Sequence, residues 1–514
     1  MMIPCKSGSL GKEEEYKAMS QFRIFFEREE VSVIVEEGTT LLQAAIDAGL
    51  EPNAPCGGAG KCKKCQMKVG GEVVLSCQTK IDRDMSVDSM ADQKREKAQL
   101  LQEGLLRPVD LLTGVLPQAE NPLLGAIDLG STSIVLYLHD AFTGEQLGVQ
   151  STLNPQRQYG GDVVQRANTA MEQGPEVLSS CVRAAIDGLL NELPQKIGRK
   201  PKDIVKLVIV GNSCMHHLFL EYPTQTLVLA PYDPYVKTPV TVKAADVGLH
   251  VHPDAELHWL GLIGGFVGAD TVGCILAADM DKLDKLTLMV DIGTNGEMVL
   301  GDKNGMTATS TAAGPAFEGA KITCGMRGGE GAIDHTWIEN GKIAYHVIGD
   351  VEPIGICGSG LLDAVANLLE LDEIDVTGRM EETYYFTDKV FINQKDVREL
   401  QLAKAAIAAG IVLLCRYEHH EIGDIKALLL AGAFGNYLDP HSACAIGLLP
   451  AELEERIIPV GNAAGAGAQL AVLNLNEERR SAEMAAAVKF VELANDPEFQ
   501  DVYVDQMFFG EDDE

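Results

Sequence analysis

Two stretches of the chain repeat one another: GAIDLGSTSIVLYL at 125–138 and MVDIGTNGEMVL at 289–300. Each is an apolar run ending in Asp, then a turn of Gly with small hydroxyl or amide residues, then a second apolar run. That pattern reads as two buried strands joined by a tight turn. Its recurrence at domain scale implies two similar lobes facing each other across a cleft. A turn of this kind aims successive backbone N–H groups outward, forming a nest for phosphate oxygens. An Asp at the strand end can hold the water shell of Mg²⁺ or orient an attacking water. One such turn occurs in any hairpin, but two in register can clamp a triphosphate from both sides.

A second constraint lies nearer the N-terminus, in CGGAGKCKKCQMKVGGEVVLSC at 56–77. The spacing of Cys56, Cys62, Cys65 and Cys77 is C-x5-C-x2-C-x11-C. GGAGKC is not a phosphate loop, because the required Gly and Ser/Thr positions hold Pro55 and Cys62. Four thiolates could also hold zinc, but zinc ribbons present two C-x-x-C knuckles, and the first gap is too wide for one. Three close cysteines on a Gly-rich loop with a fourth on a following strand suit a 2Fe–2S cluster. Gly57, Gly58 and Gly60 would let the loop close around inorganic sulfide, and Lys61, Lys63, Lys64 and Lys68 would either offset part of the cluster's charge or form a solvated face.

Around these motifs the chain divides into a tail (1–20), a β-rich domain (21–90), a Pro-broken linker with some helix (91–122), two lobes (123–284 and 285–475) and an acidic C-terminal segment (476–514) with a partly mobile tail. In the β-rich domain FRIFFE and VSVIVEE read as strands. TTLLQAAIDAG reads as a helix capped by Thr39 or Thr40 and stopped at Gly49. LAKAAIAAGIVLLCRY, at 402–417, is too short for a membrane span and reads as a buried helix. The start has no apolar run suited to a signal peptide, so the expected location is cytoplasmic. Twelve cysteines are then not expected to form a disulfide framework, and most of the eight outside the loop read as buried thiols. A formal charge of −33 disfavours nucleic acid and anionic membranes as partners. The adjacent pairs His216–His217 and His419–His420 point apart on a helix and are not expected to share a metal.

The first domain, with hairpin, helix, cysteine loop and closing strand, resembles the ferredoxin fold, which implies a β-grasp domain. The remainder resembles the superfamily of sugar kinases, heat-shock chaperones and actin. GAIDLGSTS and VDIGTNGE match its two phosphate segments, IGGFVGADTVGCILAAD and GNAAGAGAQLA its connecting helices, and LLLAGAFGNYLDP its adenosine segment. The implied fold class is α/β, with two ribonuclease-H-like lobes. The implied roles put Asp128, Gly130, Ser131 and Thr132, with Asp291, Gly293, Thr294 and Asn295, on phosphate and Mg²⁺, with Asp291 orienting the hydrolytic water. Gly432, Ala433 and Gly435 would lie against the purine, and Gly358 and Gly360 beside the nucleotide.

The whole arrangement resembles the reductive activators of corrinoid proteins, carried by NPQRQYGGDVVQRA, VGNSCMHHLFL, DIGTNGE, AGPAFEGAKITCGMRG, GICGSG and LAGAFGNYLD. This implies a 2Fe–2S cluster on Cys56, Cys62, Cys65 and Cys77, an ATP site, and one-electron transfer to an inactive Co(II) corrinoid protein, restoring Co(I) for methyl transfer in an anaerobe. A low-potential donor would load the cluster, a homodimer is an allowed assembly, and the 309–330 loop with Ser310 and Cys324 would face the partner. The rival readings are a small-molecule kinase, which leaves the ferredoxin module without a purpose, an activator of a radical dehydratase, and a nucleotide-gated chaperone with a structural cluster.

Overall fold

The computed structural model describes residues 21–50, 52, 54, 58, 60, 63–90, 106–230 and 232–510. Two compact units divide the chain, the first ending at Arg95.

In the first unit, strands β1 (Gln21–Phe26), β2 (Val31–Glu36), β3 (Gln66–Val69), β4 (Glu72–Leu75) and β5 (Met85–Asp88) form one sheet in the order β2-β1-β5-β3-β4. β1 alternates in and out, burying Ile24 and Phe26 against Leu41, Ala44 and Ala45 of the helix Leu41–Asp47. Thr40 caps that helix, its hydroxyl accepting from Gln43 N at 3.2 Å. A sheet grasping one helix is the expected ferredoxin architecture.

The second unit contains two six-stranded sheets that share a five-stranded pattern, the sixth strand lying at the parallel edge of the first and at the antiparallel edge of the second. The first lobe has β6 (Leu123–Leu129), β7 (Ser133–Asp140), β8 (Gln146–Leu153), β9 (Ile204–Gly211), β10 (Val240–Lys243) and β11 (Glu256–Trp259), in the order β10-β11-β9-β6-β7-β8. The second has β12 (Thr287–Ile292), β13 (Gly296–Asp302), β14 (Gly305–Thr311), β15 (Ala427–Ala431), β16 (Ile457–Gly461) and β17 (Lys489–Phe490), in the order β16-β15-β12-β13-β14-β17. In both lobes three antiparallel strands are followed by parallel ones. The central strands are buried on both faces, which is why they read as continuous apolar runs.

Between the lobes the helices Ala269–Ala277 and Ala463–Leu473 cross, backbone on backbone. A Cβ added at Gly467 would collide with the Gly273 carbonyl. The helix Gln394–Tyr417 is the one described helix long and apolar enough to cross a membrane, and most of it is buried in the second lobe's core.

Two segments depart from expectation. Residues 106–122, the described part of the expected linker, are docked, and the charged stretch expected to hold some helix lies outside the described residues. The docked part lies along the end of the second crossing helix, with Leu112 N on Leu473 O (2.9 Å), Leu475 N on Leu112 O (2.8 Å) and Arg107 paired to Glu477 and Asp279. The C-terminal segment is docked as far as Gly510. Phe499–Asp505 is helical, Phe509 is buried, and Lys404 Nζ donates to the Phe508 carbonyl. Both segments have partners too remote in sequence for local pattern to reveal. The tail 1–20, the linker to residue 105 and residues 511–514 lie outside the described residues.

The crossing gives a paired stability test. Gly467→Ala should destabilise the second unit by at least ~3 kcal/mol, because backbone cannot move aside as a side chain can. Gly188→Ala, in the helix Glu176–Lys196 with nothing within 4 Å of the new methyl, should stabilise by about 0.5–1 kcal/mol. Thermal denaturation of the two variants checks both signs.

Candidate functional site

The two Asp–Gly turns end β6 and β12, and both close on themselves: Gly130 N donates to Ser133 O and Gly293 N to Asn295 O, each at 2.9 Å. The second turn is one residue shorter. Leu129 pairs with Ile134, whereas Ile292 pairs with Gly296. Asp128 therefore stands opposite Val135, but Asp291 stands opposite Glu297. Like charges directly opposed across strands repel.

Sequence reasoning assigned two carboxylates to this cleft, and the structure brings four together. Burial pushes Asp128 up to about 6, partly offset by Asn462 Nδ2, which donates to its Oδ2 at 2.8 Å. Burial and then the Asp128 charge push Asp291 up to about 6. Asp270, in the first turn of the helix Ala269–Ala277, is pushed up to about 7 by burial, with the Asp291 and Asp128 charges adding to the shift. Glu297 is raised well above its usual range by burial and then by Asp270 and Asp291, although Asn295 donates to it. The buried thiol of Cys274, one turn along from Asp270, feels all four. Among the described residues no three acids are close enough to close a cation cage. Mg²⁺ keeps several waters and leans on one or two carboxylates plus substrate phosphates, a donor set that the strand-end Asp128 and Asp291 match.

Ser131 sits half-buried in the first turn, and the Thr132 carbonyl accepts from Asn154 N at 2.9 Å. Thr132 and Thr294 hydroxyls both donate to Glu318. Gly432 has φ +84° at the start of the helix Gly432–Tyr437, where a Cβ would collide with Asp291 Oδ1, so Gly is required there. Gly435 has ordinary room for a Cβ, and the Ala433 side chain lies outside the described residues. Gly358 and Gly360 open the helix Gly358–Glu370, against the carbonyls of Phe317 and Ile333. Phe317 stacks on Phe434 with centroids 4.7 Å apart.

Just past this segment an open cavity of about 530 Å³ is lined by residues including His335, Trp337, Asp363, Asn436 and Tyr437. Asp363 is buried, with Oδ2 held by His335 Nδ1 (3.1 Å) and Thr336 N (3.3 Å) and Oδ1 without a partner. That carboxylate raises the His335 pKa.

In the ferredoxin unit, Cys65 and Cys77 are buried with their thiols within hydrogen-bond reach of each other, beside Gly58. Gln78 Nε2 lies 3.6 Å from Cys77 Sγ. Burial and then the Cys65 thiol raise the Cys77 pKa, the penalty that a metal replacing the proton relieves. These two positions fit a thiolate-held cluster, and Cys56 and Cys62 lie outside the described residues.

Two further expectations change. His216 and His217 do not point apart: their Nδ1 atoms are 3.3 Å apart in a core with Trp259. His217 Nδ1 meets the Ser213 carbonyl at 2.7 Å and its Nε2 accepts from Tyr235 N, while burial lowers the pair to about 3 and 4, so both stay neutral. The 309–330 stretch is only partly a surface loop, since 309–311 end β14 and Ala316, Phe317 and Ile322 are buried. Ser310 stands opposite Glu297, and Cys324 Sγ points at the Lys389 carbonyl. Asp270 and Glu297 were missed. The available signal was an acid at the start of each of two otherwise apolar runs, ADTVGCILA and GEMVL.

Matching ribonuclease-H-like lobes closing on carboxylates, in one chain with a cysteine-bearing ferredoxin sheet, define an ATPase of the sugar-kinase and actin class fused to an iron–sulfur module. Comparison with known proteins agrees. Residues 24–97 match the 2Fe-2S iron-sulfur cluster binding domain, 124–283 the RACo middle region and 285–514 the C-terminal ASKHA domain of RACo. The corrinoid activation enzyme RamQ of Eubacterium limosum is 33% identical over 95% of this chain and 99% of its own length. A Co(II) methylated amine-specific corrinoid protein reductase of Methanosarcina barkeri is 25% identical over 68% of this chain and 69% of its own. A solved reductive activator for a corrinoid, iron-sulfur protein superposes with TM-score 0.70 and 26% identity, covering 95% of this chain and 98% of that one. The chain belongs to the RACo family, the reductive activators of corrinoid proteins.

Asp270 gives a signed pH test. Its folded-state value lies above the ~3.9 of an unfolded Asp, so its contribution to stability is complete below about pH 4 and lost as pH rises through about 7. Without nucleotide, Asp270→Asn should match wild type near pH 4 and exceed it above pH 7 by roughly 1–3 kcal/mol, while ATP hydrolysis falls ~100-fold or more. Denaturation midpoints and phosphate release measured across that range read both effects.

Proposed function

We propose that this protein is an ATP-dependent reductive activator, in which closure of the two lobes on ATP governs delivery of one electron to the Co(II) of a corrinoid protein, restoring Co(I) for methyl transfer. One observation carries the reading: a two-lobed carboxylate clamp and a ferredoxin sheet with converging thiols occur in a single chain. The RACo family assignment supports the corrinoid partner. When bound, the 2Fe–2S cluster supplies a single electron and takes another from a low-potential donor.

In the clamp, Asp128 and Asp291 would hold the water shell of Mg²⁺, which would offset phosphate charge. Asp291 also orients the hydrolytic water, and Asp270, tuned to about 7, receives its proton. Asn462 fixes Asp128 from the second crossing helix, so the first lobe's acid is set by the hinge itself. The purine sits in the cavity beyond Gly432, whose lining includes Trp337 and Asp363. Co(I) is strongly reducing, and each ~100 mV of deficit costs about 2.3 kcal/mol per electron. Binding to the partner, or ATP turnover that separates the two proteins, offsets that cost. A homodimer is compatible with this scheme.

The test is anaerobic reduction of a purified Co(II) corrinoid protein, followed by cobalt absorbance with and without ATP. Reduction should require the reduced protein and should accelerate with ATP. Cys62→Ser should abolish it and leave ATP hydrolysis largely intact. Phosphorylation of small sugars without cobalt reduction would overturn the reading. Asp363→Ala should weaken ATP binding about tenfold by calorimetry, with a smaller effect on inorganic triphosphate, which lacks the base.

A further inference from the structure

The sequence gives the 312–326 stretch no place in the nucleotide site, yet its Glu318 reaches the centre of the cleft. Thr132 Oγ1, in the first lobe's turn, donates to Glu318 Oε2 at 3.2 Å. Thr294 Oγ1, in the second lobe's turn, donates to Glu318 Oε1. One carboxylate thus takes a hydroxyl from each of the two turns that, on the reading above, hold phosphate. Carboxylate and phosphate oxygens are the same kind of acceptor, so the two compete for the same donors.

The loop is built to hold the carboxylate there. Gly314 N donates to the Thr294 carbonyl, Ala320 N folds back on Pro315 O, and Met326 N donates to Ile356 O. Thr323 N donates to Asp396 Oδ1 at 2.6 Å, anchoring the far end on the capping residues of the long core helix. Phe317, next to Glu318, is buried in its stack on Phe434 of the adenosine segment. Arg166, buried in the first lobe, attracts Glu318 electrostatically.

We propose that Glu318 is an internal stand-in for phosphate, a positioning residue that pins the two turns together in the nucleotide-free clamp and is displaced when ATP arrives. The proposal rests on the reading of the two turns as phosphate holders. Thr132 and Thr294 then exchange Glu318 for phosphate oxygens, and the release of Glu318 frees the 312–326 loop. The loop therefore carries nucleotide state away from the cleft through a contact that exists in only one of the two states.

The test is Glu318→Gln, which keeps the shape and removes the charge, with Glu318→Ala beside it. Isothermal titration with MgATP and MgADP should show five- to tenfold tighter binding in both variants, because the competitor is weakened or gone. The nucleotide-free melting temperature should fall, and the MgATP-bound one should stay at the wild-type value. Amide hydrogen exchange across 312–326 should accelerate on adding MgATP to wild type and be fast in the variants with or without it. A merely structural Glu318 would lower affinity and stability together, and that outcome overturns the proposal, as does unchanged affinity. Wild-type protein that binds no nucleotide would overturn the phosphate reading of the turns and this proposal with it. Weaker binding in the variants alone would overturn only the proposal.

Discussion

Four carboxylates set into one cleft are the constraint that the rest of the clamp answers. Asp128, Asp270, Asp291 and Glu297 are brought together by two different sheets and a crossing helix, and each is held where loss of a proton is costly. Such an arrangement is tolerable only on a frame that cannot relax away from it. The frame is a pair of sheets whose central strands are buried on both faces, with two small-residue helices in direct backbone contact. A Mg²⁺ ion held by these acids would favour their ionised forms, whereas the net negative charge of the nucleotide's phosphates would oppose them. Nucleotide binding and the protonation of the cleft are therefore coupled by the same repulsion.

The ferredoxin unit poses a parallel problem on a smaller scale. Cys65 and Cys77 are packed with Leu42 in an apolar setting that favours neutral thiols, and metal ligation reverses that preference. In both units the ionisable groups are set where burial and like charge favour their neutral forms. This is expected of a protein whose stability is shared with its ligands.

Legibility in the sequence followed the range of the interaction. The paired turns were readable because a tight turn with outward N–H groups needs Gly and small polar residues within a few positions. The same holds for the cap at Thr40 and for the buried run within Gln394–Tyr417. Asp270 and Glu297 were not readable, because a lone acid in an apolar segment acquires meaning only from what faces it, and that is set by a one-residue difference in turn length and by a helix crossing. Glu318, Asn462 and the docking of 106–122 on Leu473–Leu475 are likewise long-range pairings. His216 and His217 misled for the opposite reason: ideal helical angles separate adjacent side chains, but a shared apolar pocket turned these rings toward each other.

The backbone contact between Gly273 and Gly467 has a bearing on how relatives of this protein can diverge. An axle with no side chains at its crossing has nothing to gear or repack. Changes in how far the jaws swing must therefore be written at their rims, in loops and edge strands. Sequence drift among such proteins should accordingly spare the pivot while remodelling the surfaces that meet different clients.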